Sequence, residues 1–166
     1  MRRRRLMTLL LATPVLSLGL ARLLPGSRAA EGFPFQLSES EWRQRLGGKA
    51  YAVLREEDTE PPGSSPLLEE KRTGIYACAG CGQDLFRSET KYDSGTGWPS
   101  FYDVIDGAVG TREDRSLFLG TRTEVHCSRC GGHLGHVFED GPPPTGLRYC
   151  INGLALEFRT ETGAAG

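Results

Sequence analysis

Five cysteines carry most of the chemistry available to this 166-residue chain. Four of them form two C-x-x-C pairs, and the fifth, Cys150, stands alone. Two such pairs are the usual ligand set of a structural zinc site, because four thiolates can surround one ion as a tetrahedron. Two disulfides or a redox-active C-x-x-C are the alternatives, and an oxidising compartment would favour disulfides. We predict one structural zinc ion, with the ligands Cys78, Cys81, Cys127 and Cys130.

Cys150 lies in the segment Arg148-Tyr149-Cys150-Ile151-Asn152. Alternate residues of an extended strand share one face, so Arg148, Cys150 and Asn152 are expected to point the same way. A guanidinium beside a thiol favours the thiolate, which is the nucleophilic form. The pattern therefore predicts a reactive cysteine.

The three histidines of the chain lie close together, near the second C-x-x-C pair. His126 adjoins that pair and is given no role. His133 and His136 are three residues apart and are followed by Asp140. Two histidines near an acid can bind a second metal or act as proton donors. Histidines whose ring nitrogens are satisfied by structural hydrogen bonds are the third interpretation.

Trp98 lies in a tight loop flanked by glycines, Gly95-Thr96-Gly97-Trp98-Pro99-Ser100-Phe101. A tryptophan is more often a core aromatic than a ligand platform. The glycines raise the chance that one face of this ring lines a pocket.

The N-terminal segment differs in composition from the rest of the chain. Four consecutive arginines follow Met1, an apolar stretch runs from Leu6 to Leu24, and small residues end it near Ala29 and Ala30. This is the pattern of a secretory signal peptide over residues 1–30, and the arginines also suit a twin-arginine signal. It predicts an exported, periplasmic or extracytoplasmic protein. An uncleaved membrane anchor and an organellar transit peptide are the alternatives.

Removal of residues 1–30 changes the charge balance. The segment holds six of the 20 basic residues and none of the 21 acids, so the remainder has 14 − 21, a net charge of −7. Generic nucleic-acid binding requires a basic surface, so we expect no nucleic-acid partner. Membrane contact is expected only through the N-terminal segment, if it stays uncleaved.

The remaining residues have the length of a single domain. Residues 31–37 are predicted as a linker, 38–160 as the domain and 161–166 as a C-terminal tail. Residues 38–46 begin with a capping serine, carry acids first and bases last, and end at two glycines, which predicts a short helix. Residues 50–54 are helical or irregular, and 60–66 form a loop by composition.

Beyond Gly74 the apolar residues come in short runs separated by glycines and turn residues, as in strands. The predicted strands are 74–77, 117–119, 123–126, 148–152 and 155–158. No crossover helices are available, so antiparallel pairing is expected. The predicted fold is mainly β, with two antiparallel sheets and a short N-terminal helical lead-in, stapled by the zinc site.

Three segments together resemble the B-type methionine sulfoxide reductases, which reduce the R epimer of methionine sulfoxide. The segments are 91–101, 133–138 and 148–152, in the order and spacing of that family. The resemblance covers roughly residues 38–160. It implies thiol-dependent reduction of methionine sulfoxide, free or preferably in peptides and proteins, as repair of oxidative damage.

The resemblance also implies a role for each candidate residue. Cys150 corresponds to the nucleophile, which becomes a sulfenic acid, and Trp98 to the aromatic that holds the S-methyl group of the substrate. The paired cysteines correspond to the structural zinc ligands. Other positions that line the family's active site correspond to His133, His136, Asp140, Arg148 and Asn152.

Two positions depart from the family pattern. Thr96 stands where many relatives have a resolving cysteine, and Gly153 replaces a common serine. If zinc holds the paired cysteines, no other cysteine is free to reduce the sulfenic acid on Cys150. A thioredoxin-like protein or another external thiol is then the expected reductant, unless a zinc ligand doubles as the resolving cysteine.

Two other classes of function agree with part of the sequence. A zinc-stapled binding module would explain the C-x-x-C pairs but nothing around Cys150. A metal-dependent hydrolase would use His133, His136 and Asp140 on a second ion and would be insensitive to thiol alkylation.

Overall fold

Two antiparallel β-sheets and one kinked helix form the described part of the chain. The computed structural model describes residues 32–116 and 120–161. The predicted signal peptide, the predicted strand 117–119 and the last five residues lie outside the described residues. Gly32 to Glu161 belong to one compact unit, Glu31–Gly166. The predicted fold class, mainly β with two antiparallel sheets and a helical lead-in, is confirmed.

Helix α1 spans Glu39–Glu56 and begins with a capping box. The Ser38 hydroxyl accepts a hydrogen bond from the backbone N–H of Glu41, and the Glu41 carboxylate accepts one from the backbone N–H of Ser38. Gly47 has φ 68° and kinks the helix where the sequence predicted its end. A second helical segment then covers residues 50–54. The helix faces the core with Trp42, Tyr51, Val53 and Leu54.

Nine strands lie in the described residues. In chain order they are β1 (Gly74–Cys78), β2 (Asp84–Arg87), β3 (Lys91–Tyr92), β4 (Ser100–Phe101), β5 (Val109–Ser116), β6 (Gly120–Cys127), β7 (His133–Phe138), β8 (Arg148–Ile151) and β9 (Leu156–Thr160). The smaller sheet has the order β2-β1-β9, and the larger has the order β3-β4-β8-β7-β6-β5. All neighbouring strands are antiparallel. The strand that carries Cys150 is therefore central in the larger sheet.

The core lies between the two sheets and is rich in aromatic rings. Phe101 of β4 stacks on Phe86 of β2 with ring centroids 4.3 Å apart, and it meets Tyr76 of β1 edge-on at 5.0 Å. From the larger sheet, Ile151 and Val125 are fully buried. Because successive residues of a strand point to opposite faces, their neighbours Cys150 and Glu124 face away from this core.

Gly135 allows strands β7 and β8 to approach closely. It lies opposite Ile151, and a β-carbon at this position would overlap the carbonyl oxygen of Cys150. Only glycine fits here. The backbone of the Cys150 strand is thereby held against the strand that carries both candidate histidines.

The segment that precedes α1 packs against the second C-x-x-C turn. The ring of Phe33 covers Gly131, and the backbone N–H of Phe35 donates to the carbonyl oxygen of Arg129 at 2.9 Å. These contacts fasten the start of the described chain to the second C-x-x-C turn. Among residues 32–116 and 120–161, no helix combines the length and apolar character that a membrane span needs.

Candidate active site and metal cluster

Cys150 is half-buried in strand β8, between His136 of β7 and Ser100 of β4. Both are its direct cross-strand partners, and such partners project from the same face of a sheet. Arg148, two residues earlier, shares that face, as the sequence predicted. The thiol thus lies in a row of polar side chains on the face that points away from the core.

Burial raises the pKa of the Cys150 thiol above its ordinary value. A hydrogen bond with Thr96, whose Oγ1 lies 3.8 Å from Sγ, and the charge of Arg148 act in the opposite direction but do not outweigh burial. The predicted influence of Arg148 is therefore present. Burial nevertheless leaves the net shift of the Cys150 pKa upward in the free protein.

Arg148 is held by Asp140 through two parallel hydrogen bonds. Nε donates to Oδ1 and Nη2 donates to Oδ2, each at 2.8 Å, and the guanidinium lies 4.4 Å from the centroid of the Phe138 ring. The pair holds the pKa of Asp140 below its usual range. Asp140 therefore orients the cation that adjoins Cys150, and it bonds to neither histidine.

His136 is backed by an acid and an arginine. Its Nε2 lies 2.8 Å from Oδ2 of Asp114, which also accepts a hydrogen bond from Nη2 of Arg122 at 2.6 Å. The bond with His136 keeps the pKa of Asp114 low, so the ring donates from Nε2 to a carboxylate. Burial lowers the pKa of His136 even though Asp114 opposes it, so this ring is neutral at neutral pH.

His133 has a matching arrangement. Its Nδ1 lies 2.8 Å from Oε1 of Glu124, and Glu124 is also paired with Arg112. Burial alone would raise the pKa of Glu124, but the bonds with His133 and Arg112 together lower it to about 2. Nε2 of His133 is buried without a hydrogen-bond partner among the described residues. The two histidine rings meet edge-on, with centroids 5.5 Å apart.

The supporting acids and arginines were missed by the sequence analysis. A cross-strand reading of the charges on β5 and β6 would have found them, since Arg112 lies opposite Glu124 and Asp114 opposite Arg122. Because each histidine bonds its own carboxylate and Asp140 bonds Arg148, the three do not form a metal site. In the part of the chain that the structure describes, the four-cysteine group is the one candidate metal cluster. The second-metal interpretation loses its support.

Thr96 adjoins the thiol, as the resemblance implied for this position, and belongs to a chain of hydroxyls. Oγ of Ser94 lies 2.8 Å from Oγ1 of Thr96 and 2.7 Å from Oγ of Ser100. The position beside Cys150 that a resolving cysteine would occupy is therefore filled by the hydroxyl of Thr96.

Trp98 is half-buried, and its indole Nε1 donates to the carbonyl oxygen of Glu60 at 3.0 Å. The ring borders a groove of about 570 Å³. Charged and aromatic side chains dominate the walls of this groove, among them Glu70, Arg72, Lys91, Tyr92 and Asp93. The expectation that the ring faces a pocket rather than only the core is thus consistent with its position.

Asn152 does not share the open face with Arg148 and Cys150. The strand ends at Ile151, and Asn152 is 4% exposed. Its Oδ1 accepts from the backbone N–H of Glu60 at 3.0 Å, and its Nδ2 donates to the carbonyl oxygen of Leu134 at 3.1 Å. The side chain therefore ties the end of β8 to two neighbouring segments.

The four paired cysteines converge on one point. Their sulfur atoms all lie within 4.8 Å of one another, with Cys78 3.7 Å from Cys130 and Cys81 3.6 Å from Cys127. A tetrahedron of Zn–S bonds of about 2.3 Å places its sulfurs about 3.8 Å apart, whereas a disulfide needs about 2.05 Å. The donor set and its spacing fit a metal ion such as zinc and do not fit two disulfides.

The peptide carbonyls of the cluster are fastened by arginines. Arg45 and Arg55 of α1 donate to the carbonyl oxygens of Gly80 and Cys130, at 2.6 and 3.0 Å. Arg129 donates to the carbonyl oxygen of Cys81 at 3.1 Å. Positive charge beside a four-thiolate site offsets its negative charge. These hydrogen bonds therefore join helix α1 to both C-x-x-C turns, and join the two turns to each other.

The chain is similar to proteins of one family. The SelR domain family matches residues 46–160. A peptide methionine sulfoxide reductase MsrB of Methanosarcina barkeri is 59% identical over 125 residues, which are 75% of this chain and 87% of that protein. Proteins of the same name are 58% identical in Methanosarcina mazei, over 75% of this chain and 89% of theirs, and 55% identical in Leifsonia xyli subsp. xyli, over 75% and 90%. The chain thus belongs to the SelR-domain family, the B-type peptide methionine sulfoxide reductases, which are oxidoreductases of methionine sulfoxide.

Proposed function

We propose that this protein reduces the R epimer of methionine sulfoxide in peptides and proteins, with Cys150 as the nucleophile. One observation carries the proposal. The only cysteine outside the metal cluster lies directly opposite His136 on the polar face of the larger sheet. Family membership supplies the reaction, and this pairing supplies a nucleophile and a proton carrier for it.

The first step transfers one oxygen atom. The sulfur of Cys150 bonds to the sulfoxide sulfur, and the oxygen then moves to the cysteine sulfur as the S–S bond and the original S–O bond break. Methionine leaves and Cys150 becomes a sulfenic acid. The cysteine sulfur is oxidised by two electrons and the substrate sulfur is reduced by two. No net proton is consumed.

A proton must nevertheless reach the sulfoxide oxygen, because sulfoxide sulfur is a poor electrophile otherwise. The free protein has a thiol at Cys150 and a neutral ring at His136. His136 takes the thiol proton and delivers it to the sulfoxide oxygen, and such help is worth about 10²–10⁴ in rate. Asp114 stabilises the charged ring during the transfer. His133 lies against His136, with ring centroids 5.5 Å apart, and helps to hold that ring in place.

Trp98 is the proposed platform for the S-methyl group, since sulfur-bound methyls pack well on aromatic faces. The groove beside Trp98 is the proposed place of the peptide chain around the oxidised methionine; Trp98 lines this groove and Cys150 does not. Its volume of about 570 Å³ falls within the usual range of ligand sites. Chain segments on either side of the oxidised methionine would lie among its charged walls.

The sulfenic acid is returned to the thiol by an external reductant. The chain has five cysteines, four of them in the metal cluster, and Thr96 stands beside Cys150. An external thiol attacks Cys150, releases water and forms a mixed disulfide, and a second thiol then frees the enzyme. A thioredoxin-like protein or another thiol fills this role.

Two further proposals concern the metal and the location. The bound ion is zinc, and it is structural, because all four of its positions are filled by cysteines. The protein is exported by the N-terminal signal over residues 1–30, whose arginine head and apolar stretch support this. Repair of oxidised envelope proteins would suit that location.

The decisive experiment offers the two separated epimers of a methionine sulfoxide peptide to the protein with dithiothreitol. We expect loss of the R epimer alone, and no loss after treatment with iodoacetamide. Cys150→Ser should be inactive with unchanged metal content and melting temperature. A folded, metal-loaded protein that reduces neither epimer, or an active Cys150→Ser variant, would refute the proposal.

A further inference from the structure

Glu60 is a buried acid in the loop that follows α1, with 4% of its surface exposed. The sequence placed it in a loop and gave it no function. We propose that Glu60 is a positioning residue that joins the Trp98 loop to the end of the Cys150 strand as one unit. The inference rests on the proposed function in one respect, namely that Trp98 contacts the substrate.

The first connection runs to the Trp98 loop. The carbonyl oxygen of Glu60 accepts the indole N–H of Trp98 at 3.0 Å, and Gly63 donates to the carbonyl oxygen of Gly97 at 2.8 Å. Packing is close here, since a β-carbon at Gly97 would lie 2.8 Å from that of Pro62. The orientation of the indole therefore depends on where the 60–63 segment lies.

The second connection runs to the residues that follow β8. One carboxylate oxygen of Glu60 accepts the backbone N–H of Gly153 at 2.5 Å, and the other accepts that of Leu154 at 3.1 Å. These are the first N–H groups of a 3₁₀ turn, Gly153–Ala155, and have no partner within it. The backbone N–H of Glu60 also donates to Oδ1 of Asn152 at 3.0 Å. Three groups of one residue thus hold three consecutive residues after the Cys150 strand.

The absence of a side chain at Gly153 fits this arrangement. A β-carbon there would overlap the hydroxyl of Ser65 and would lie 3.2 Å from Oε1 of Glu60. Ser65 thus occupies the space that a side chain at 153 would need. The departure from the family's common serine therefore leaves room for the close contact of Glu60 with the backbone.

Glu60→Gln tests the clamp without removing its backbone contacts. The amide keeps one acceptor but turns an NH₂ group toward a backbone N–H, so one of the two buried bonds is lost. We expect the KM for the sulfoxide peptide to rise about tenfold, because the Trp98 platform is displaced. We expect kcat to change less. Alkylation of Cys150 should change by less than about twofold, since its strand partners hold the thiol.

Trp98 reports its own position independently of turnover. In a Trp42→Phe background, Trp98 is the only tryptophan of the chain. Glu60→Gln should shift its emission to the red and increase its quenching by acrylamide, while Glu157→Gln, an exposed acid on β9, should change neither signal nor KM. If Glu60→Gln does not fold, Glu60→Asp keeps the charge with a shorter reach and should shift both readouts in the same direction.

The outcomes separate the two proposals. A folded Glu60→Gln protein with wild-type KM and wild-type Trp98 emission would overturn the positioning role, even if its melting temperature is lower. If the wild type itself reduces no sulfoxide, the proposed function fails, and the Trp98 emission still decides whether Glu60 positions the ring.

Discussion

His136 and Cys150 lie directly opposite each other on strands β7 and β8, and each has its pKa displaced toward the neutral form by burial. The pKa of the thiol is raised and that of the ring is lowered. The free site therefore holds a thiol beside a neutral imidazole rather than an ion pair. In the proposed mechanism, the thiolate and the charged imidazole form only when a substrate is bound and its sulfoxide oxygen can receive the proton.

The reactivity of Cys150 should reflect this state. We expect its alkylation by iodoacetamide, followed by mass spectrometry of the Cys150 peptide, to rise with pH through a midpoint above that of an ordinary cysteine thiol. Arg148→Gln removes a charge that lowers the pKa of Cys150, so the midpoint of this variant should lie above that of the wild type. Arg115→Gln, an exposed arginine of β5, is the control and should leave the midpoint unchanged. A wild-type midpoint below 7 would contradict the structure.

The position of Thr96 predicts that a cysteine introduced there would reduce the sulfenic acid on Cys150 from within the protein. With substrate and no reductant, the wild type should release one methionine per chain and keep a sulfenic acid that dimedone labels. Thr96→Cys puts a thiol where a hydroxyl lies 3.8 Å from the Cys150 sulfur. It should lose the dimedone label and form a disulfide between the introduced cysteine and Cys150. Thr96→Ser should behave as the wild type, and a persistent label in Thr96→Cys would contradict the prediction.

Removal of the metal should unfold much of the domain. The cluster joins β1 to β6 and is fastened to α1, so its binding free energy is folding free energy. With a strong chelator we expect the melting temperature to fall by roughly 10 °C or more. Metal release should be measured in parallel with a colorimetric indicator. An unchanged melting temperature after the ion has left would show that the cluster does not staple the fold.

Acid should lower the free energy of unfolding, in part by protonating Glu124. Its pKa falls from an ordinary 4.5 to about 2, so the ionised form is favoured by folding. That contribution is complete above pH 4.5 and is lost as the pH falls toward 2. Glu124→Gln should be less stable than the wild type at pH 6, and the difference should shrink at pH 3.5.

Denaturant titrations at both pH values measure this difference. Glu113→Gln on the neighbouring strand is the matched control, because this acid is exposed. A difference between Glu124→Gln and the wild type that is equal at pH 6 and pH 3.5 would show that the carboxylate contributes no pH-linked stability.

The short-range features of the fold were accessible from the sequence. The capping serine, the glycine at the kink of α1 and the runs that became β1, β6, β8 and β9 all depend on local preferences. Strands β2, β3, β4, β5 and β7 were missed. On β5 the pairing with β6 outweighs a composition of charged residues, and the sequence of β7, His133–Phe138, has no regular alternation of polar and apolar residues.

The limits at the site have the same origin. Cys150 and the paired cysteines were identified because their spacing along the chain is informative. Glu60, Asp114 and Glu124 were not, because each reaches its partner across the sheet or from a distant loop. The net direction of the Cys150 pKa was also inaccessible, since burial depends on neighbours that the local sequence does not reveal.

With four of the five cysteines gathered in one cluster, the chain keeps a single thiol for turnover. The proposed cycle then consists of two half-reactions that share no ternary complex, so the methionine product departs before the reductant arrives. Double-reciprocal plots at several reductant concentrations should form parallel lines. Repair would be governed by the supply of reducing equivalents, and the fraction of protein held as sulfenate would report the redox state of its compartment.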